Sequence, residues 1–355
     1  MRRMFSLLLA TCMVSVAAFS PFAAADEKDG RLDIYFIDVE GGAATLIVTP
    51  SGDTVLTDSG YPDNNGRDRD RILHVLRDVA GKSAIDHAVV THWHLDHYGN
   101  HAALAAEVPI HAFWDRGIPD ALQEDPKFAE RIGNYRAASQ NFSNTLYAGD
   151  EFDIPTDGMP IVVTVLTASR EVIANTGEPN PFAKEHEPQP EDRSDNAASI
   201  STLVEYGDFR FLCCGDLTWN MEAKLVTPNN PIGKIDLFMV THHGLGTSNN
   251  PVLVKAIDPI TAVMCNGPQK GGDPKTIATL RSCESLKDLY QLHRNVSLSA
   301  EEQAPAEFIA NGGPTTECEG IWIKASVDPE GESYTIQIGP DGEKRTYQCR
   351  SATTE

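Results

Sequence analysis

The segment Thr91-His92-Trp93-His94-Leu95-Asp96-His97-Tyr98-Gly99-Asn100 carries three imidazoles and a carboxylate in the pattern H-x-H-x-D-H. These are ligand types for divalent ions, and residues two apart on an extended segment point to the same side. His92 and His94 are therefore expected to serve one metal ion, while Asp96 and His97, on the turn into the next helix, face a neighbouring position. Such an arrangement suits two metals held together by a shared group. Phe211-Leu212-Cys213-Cys214-Gly215-Asp216 ends a buried-type strand in a carboxylate whose two oxygens can each serve a different ion, so Asp216 is the expected bridge. The apolar strand Asp236-Leu237-Phe238-Met239-Val240 runs into Thr241-His242-His243-Gly244, and His242 or His243 can close the second position. We take His242 as the ligand and His243 as the catalytic neighbour. In isolation an Asp after a Gly is usually a turn residue, and paired histidines at a strand end are often solvated. It is their shared placement at strand ends that gives them meaning.

The chemistry open to these residues is metal-assisted hydrolysis. Water shared by two divalent ions is hydroxide near neutral pH, and the ions also polarise the carbonyl or phosphoryl oxygen under attack. No serine or cysteine nucleophile is required. Asp96 is placed to orient the hydroxide as well as to bind metal, and His243 to stabilise the oxyanion or donate to the leaving group.

The elements that must position these groups are legible in outline. Short β-rich runs at 32–39, 44–49 and 54–57 form a meander separated by Glu40-Gly41-Gly42 and Ser51-Gly52-Asp53. A helix over 69–79 places Ile72, Val75, Leu76 and Val79 on one face, and the strand 85–91 feeds the histidine cluster. Residues 170–195, with Pro179, Pro181, Pro188 and Pro190, make a long polar loop. Strands follow at 199–206, 209–214, 235–241 and 260–264, with helices at 219–226 and 274–291. The end, 321–325, 334–338 and 345–349, has the pattern of a small antiparallel appendage. We divide the chain into a leader over 1–25, one hydrolase domain over 26–300 and a β extension over 301–355 packed on that domain.

The 355 residues carry 29 Lys+Arg against 51 Asp+Glu, a net charge of −22. A surface this acidic repels a phosphate backbone, so coating of long nucleic acid is not expected, although a metal site can still bind one phosphodiester locally. Residues 1–25 have the parts of a secretory signal: Arg2 and Arg3, an apolar stretch, and Ala23-Ala24-Ala25. Cleavage after Ala25 would leave a periplasmic or secreted protein with no membrane attachment. A lipoprotein anchor at Cys12 fits less well, because Thr11 stands where a small residue is wanted. Six cysteines then remain: Cys213, Cys214, Cys265, Cys283, Cys318 and Cys349. Cys318 and Cys349 flank C-terminal strands and are the expected disulfide, if any forms. No C-x-x-C occurs, so a thiolate zinc site has no support.

The sequence resembles the metallo-β-lactamase-fold hydrolases, and within them the hydrolase domain of bacterial DNA-uptake competence proteins. The resemblance covers about residues 31 to 265. It rests on Phe36-Ile37-Asp38-Val39-Glu40-Gly41-Gly42-Ala43, Thr57-Asp58-Ser59-Gly60, the His92 to His97 cluster, Asn196-Ala197-Ala198-Ser199, Cys214-Gly215-Asp216 and His242-His243-Gly244. It implies an α/β fold, an αββα sandwich with a two-metal site at one edge where strand ends meet. Asp58 matches a motif residue that orders the metal-binding loop without ligating. Asn196 stands where most of the superfamily has a third histidine on the first metal, as in the competence branch. An amide oxygen is a harder and weaker donor than imidazole, so the first site is expected to be looser, taking Zn2+ with extra water or Mn2+. His186 in the long loop is a weaker candidate for that place.

The implied cofactors are two divalent ions, Zn2+ in the first instance with Mn2+ as the alternative. A small or short phosphodiester is the first expected substrate, and a carboxylic ester or lactone the second. Antibiotic cleavage is disfavoured, because lactamases of this fold lack an aspartate at the bridging place or replace the Asp96-His97 partners. A metal-binding or partner-binding relic is the non-enzyme alternative.

Overall fold

A computed structural model describes residues 29–351, apart from 63, 155 and 157. The expected leader therefore lies outside the described residues. Along the first strand, Leu32–Phe36, side chains alternate between two apolar clusters. Leu32, Ile34 and Phe36 join the core between two sheets, and Tyr35 joins a second cluster on the other face. A strand buried on both faces needs a layer on each, and the fold supplies them: helix, sheet, sheet, helix.

The first sheet has nine strands, in the order Arg345–Gln348, Ser333–Ile338, Ile323–Val327, Leu32–Phe36, Thr45–Val48, Thr54–Thr57, Ile85–Val89, Ile110–Asp115 and Asn144–Thr145. The second runs Ile309–Asn311, Asp288–His293, Thr261–Met264, Leu237–Met239, Phe209–Cys213, Ser201–Tyr206, Ile161–Ala168 and Glu151–Ile154, with Glu171–Val172 paired to Ile161–Ala168. Helices 67–74, 101–105 and 128–138 cover the first sheet through Ile72, Leu104, Phe128 and Ile132. Helices 219–226, 251–257 and 274–281 cover the second through Leu225, Val226, Leu253, Ile257 and Leu280.

The strands that lead into the site are parallel where it matters. Thr57 pairs with Val89, so Asp58 and the histidine segment leave the first sheet side by side. Cys213 pairs with Met239 in the second sheet, which aligns the exits to Asp216 and to His242-His243. Both sets of strand ends meet at one edge of the sandwich.

Three expectations are corrected. The helix expected over 274–291 stops at Arg281, and Asp288–His293 is instead a strand parallel to Thr261–Met264. Its residues 289–293 are buried, and Gln291 is satisfied by accepting from the Ala304 amide at 2.6 Å, a contact that periodicity does not register. The C-terminal strands are not an appendage: Ile323–Val327 pairs antiparallel with Leu32–Phe36 along its full length, and the sheet continues to an edge at Arg345–Gln348. Cys318 and Cys349 are both free. Cys318 lies 3.3 Å from Arg71 Nη2 and from Asp38 Oδ2, while Cys349 packs against the inter-sheet core.

Candidate metal centre

The histidine segment leaves strand Ile85–Val89 and is held by two glycine loops. Asp96 O accepts from the Ala43 amide at 3.0 Å, and His97 O from the Ser59 amide at 2.6 Å. A Cβ on Gly42 would stand 2.6 Å from Asp96 O, so only glycine permits that approach. Asp58 has φ 60° and Gly60 φ 66°, a left-handed bend that turns the Asp58 carboxylate back under the cluster.

Asp216 is the hub. Its Oδ2 lies 3.9 Å from His92 Nε2, 3.2 Å from His97 Nε2, 3.4 Å from His242 Nε2 and 3.3 Å from His243 Nε2. Asp96 Oδ2 adds a second focus, 3.6 Å from His97 Nε2 and 3.4 Å from His243 Nε2. Among the described residues, Asp96, His97, Asp216 and His243 form a group whose ligand atoms all lie within 4.8 Å of one another.

Each imidazole is oriented through its other nitrogen. His97 Nδ1 donates to Asp58 Oδ2 at 2.8 Å. Thr91 Oγ1 also donates to Asp58 Oδ2 at 2.8 Å and accepts from His92 Nδ1 at 3.1 Å. His243 Nδ1 donates to Cys265 O at 3.1 Å. With Nδ1 engaged, Nε2 is the ring nitrogen that faces the centre, as in metal sites generally.

The histidine pair is divided differently from the expectation. His243, not His242, reaches both Asp96 and Asp216, while His242 sits between Asp216 and Asn196, whose Nδ2 donates to His242 Nε2 at 3.3 Å. The cause is local backbone. His242 and His243 have φ 54° and 55°, and in this paired left-handed turn the first ring is tied to Ser248 Oγ at 3.0 Å and the second to the end of the adjacent strand. His94 is outside the four-residue group: its Nε2 donates to Glu124 Oε1 at 3.0 Å, leaving Nδ1 as its free ring nitrogen. His186 accepts from Asn250 Nδ2 at 3.1 Å.

Whether the residues fit a metal can be tested on polar satisfaction. His92 Nε2, His97 Nε2, His243 Nε2 and Asn196 Oδ1 are buried without a hydrogen-bond partner. Leaving such atoms orphaned costs about 1–3 kcal/mol each. Divalent cations would satisfy all four, and a nitrogen and oxygen donor set suits zinc or manganese. The carboxylates also make the centre favourable to positive charge. Burial lowers His97, yet Asp216, Asp58 and Asp96 raise its pKa well above the ordinary imidazole value. Burial raises Asp216, but His242, His243 and His97 hold it well below the usual carboxylate range. His92, buried and facing His97, is pushed well below the usual imidazole value.

Sequence reasoning missed three contributors. Glu124 joins His94 to the Asp195 amide, which donates to Glu124 Oε1 at 2.5 Å; Asp195 in turn accepts from the Trp93 amide at 2.6 Å and pairs with Arg116. Thr91 relays His92 to Asp58. Lys270 Nζ lies 2.5 Å from Asp96 Oδ2. Glu124 and Lys270 sit in loops without periodicity or motif, so only the glycines around Lys270 were a local signal. A cavity of about 550 Å³, lined by Trp219, Lys255, Lys275, Glu187 and Asp192 among others, shares Thr247 with the surroundings of His242, whose Nδ1 is 3.3 Å from Thr247 Oγ1.

The family model for the metallo-beta-lactamase superfamily matches residues 37–259. The chain belongs to that superfamily, whose members are generally metal-dependent hydrolases. No curated protein matches it. Similar solved structures include CmlA, a diiron beta-hydroxylase from Streptomyces venezuelae, at 19% identity and TM-score 0.37 over 65% of this chain and 44% of that one. The match therefore spans less than half of the hydroxylase. The metallo-beta-lactamase fold protein YhfI from Bacillus subtilis matches at 11% identity and TM-score 0.41, over 74% of this chain and 96% of that one. A putative Zn-dependent hydrolase of the superfamily from Thermotoga maritima matches at 12% identity and TM-score 0.29, over 66% and 75% of the two chains.

Proposed function

We propose that this protein is an exported hydrolase that uses two divalent ions, Zn2+ or Mn2+, to cleave a small phosphodiester or related ester. The observation that carries the reading is Asp216 Oδ2 with four histidine Nε2 atoms within 3.9 Å. A carboxylate so surrounded is the bridge that a two-ion site needs. His92 and His94, with Asn196 Oδ1, would hold one ion, and Asp96, His97 and His243 the other, with Asp216 shared. Bound there, the ions supply an activated water and polarise the bond under attack. Asp58 and Thr91 keep His97 and His92 in the tautomers that present Nε2. His242 can take or give a proton at Nε2, beside Asp216 and Asn196, and so stabilise the developing charge or assist the leaving group. The preference for phosphorus follows the motif resemblance to the competence-protein branch and the suitability of paired ions for in-line attack. The acidic surface favours a small substrate over long nucleic acid.

Purified protein stripped by a chelator, then reloaded with zinc or manganese, should lose and regain turnover of bis-nitrophenyl phosphate. A lactone and nitrocefin, assayed in parallel, separate the phosphodiester reading from the ester and lactam ones. Turnover that survives complete metal removal would exclude the mechanism. Two bound metals with no turnover on any of the three would favour a non-catalytic metal-binding protein.

A further inference from the structure

We infer that Lys270 is a built-in cation that competes with a metal ion for Asp96, so that the Asp96-His97-His243 position holds its ion more weakly than the same ligands otherwise would. The inference rests on the two-ion reading and assigns it a regulating side chain. Lys270 belongs to the loop that follows strand Thr261–Met264, and that loop is wedged rather than free. Gly267 donates to Lys270 O at 2.8 Å, Gly272 donates to His243 O at 3.0 Å, and Asn295 Nδ2 donates to Gly271 O at 2.9 Å. A Cβ on Gly271 would stand 2.0 Å from His243 O, and one on Gly267 would stand 2.5 Å from Glu40 O. Glycines at these contacts let the loop press against the backbone of a candidate ligand, and its lysine then reaches Asp96.

The ammonium sits 2.5 Å from Asp96 Oδ2, the same oxygen that lies 3.4 Å from His243 Nε2 and 3.6 Å from His97 Nε2. A metal ion approaching that oxygen must displace the ammonium or share the carboxylate with it, and like charges at such separations repel. Lys270 has somewhere to go, since its side chain is 34% exposed and its Nζ already lies 5.8 Å from the centroid of the Tyr61 ring. The opposite role is equally definite in its consequence. Were Lys270 a supporting partner that orients Asp96 for the ion, its loss would weaken binding, as losses of outer partners do.

Zinc titration by calorimetry, with stoichiometry by elemental analysis, distinguishes the two without any substrate. Lys270→Met and Lys270→Gln should bind the second zinc roughly tenfold tighter than the parent protein and retain it against a weak chelator, whereas Lys270→Arg, which keeps the charge, should stay close to the parent. Thermal melts of the metal-free proteins confirm folding, and the two neutral variants guard against one failing to fold. Unchanged or weaker second-ion binding in the neutral variants, with two ions bound by the parent, would overturn the inference and leave the two-ion reading intact. A parent and variants that all take only one ion would remove both.

Discussion

At the scale of single residues, the two adjacent histidines reach different groups, and the proposed function gives each a separate test. His243 touches both carboxylates of the centre, so His243→Asn should cost most of the second metal equivalent; His242→Asn should leave metal content near normal and lower turnover roughly 100-fold, the range for a positioned acid–base group. Asparagine is chosen because it tolerates the left-handed backbone that both positions occupy. Elemental analysis beside initial rates checks the pair, and equal metal loss in both would reverse the assignment. Asn196 offers a second test. Its Oδ1 is buried without a partner, so Asn196→His should raise zinc affinity about tenfold and reduce manganese-supported turnover. Indistinguishable metal titrations would remove Asn196 from the site. Asp58 acts one step back, through His97 Nδ1, and Asp58→Ala should weaken metal binding roughly 10 to 100-fold without abolishing it.

At the scale of elements, the helix Trp219–Val226 does more than cover the second sheet. Its Glu222 is fully buried and accepts from the backbone amides of Asn249 and Asn250 at 3.0 and 2.7 Å, pinning the loop that carries Ser248 under His242. Burial pushes the Glu222 carboxyl up to about 7, against the two amides that favour its charge. A folded acid with a raised pKa holds its proton more tightly than the unfolded chain does, so its contribution is fully present below pH ~4.5 and is lost as pH rises toward 7. The metal-free protein should therefore lose up to about 3 kcal/mol across that window relative to Glu222→Gln. Urea unfolding of both proteins at several pH values measures the difference. Parallel stability curves would show that Glu222 ionises normally in the folded state.

At the scale of the whole molecule, the two sheets are joined close to the site by a charge cluster. His293, at the end of a strand of the second sheet, donates to Asp38 Oδ1 at 2.7 Å across 255 residues of sequence, and Arg71 from the first helix donates to Asp38 Oδ2 at 2.8 Å and to Glu40 Oε1 at 3.1 Å. Asp38 is wholly buried and His293 nearly so. The loop that begins here continues through Gly41 and Gly42 to Ala43, whose amide donates to Asp96 O, so the clamp ties the joint between the sheets to the backbone of the candidate metal centre. Asp38→Ala leaves His293 and Arg71 without their shared partner and should cost about 3–5 kcal/mol. The double change with His293→Ala should cost less than the sum of the single changes. Additive costs in urea unfolding would mean that the two residues act independently.

The sequence by itself determined the parts whose signal is local. The H-x-H-x-D-H cluster, the carboxylate after Cys214-Gly215, the histidine pair after an apolar strand and the two glycine loops are all consecutive residues with a fixed period. The helix 219–226 and most central strands were legible for the same reason. Only the tertiary structure decided what depends on packing between distant segments. Asp288–His293 forms a strand because Thr261–Met264 lies beside it, and residues 323–327 join the first sheet because Leu32–Phe36 offers them a pairing edge. Which of His242 and His243 reaches both carboxylates turned on two left-handed residues and on a carbonyl 22 positions away. Glu124, Thr91 and Lys270 carry no pattern of their own, since a side chain becomes part of a site through the atoms it meets, and those are set by the fold.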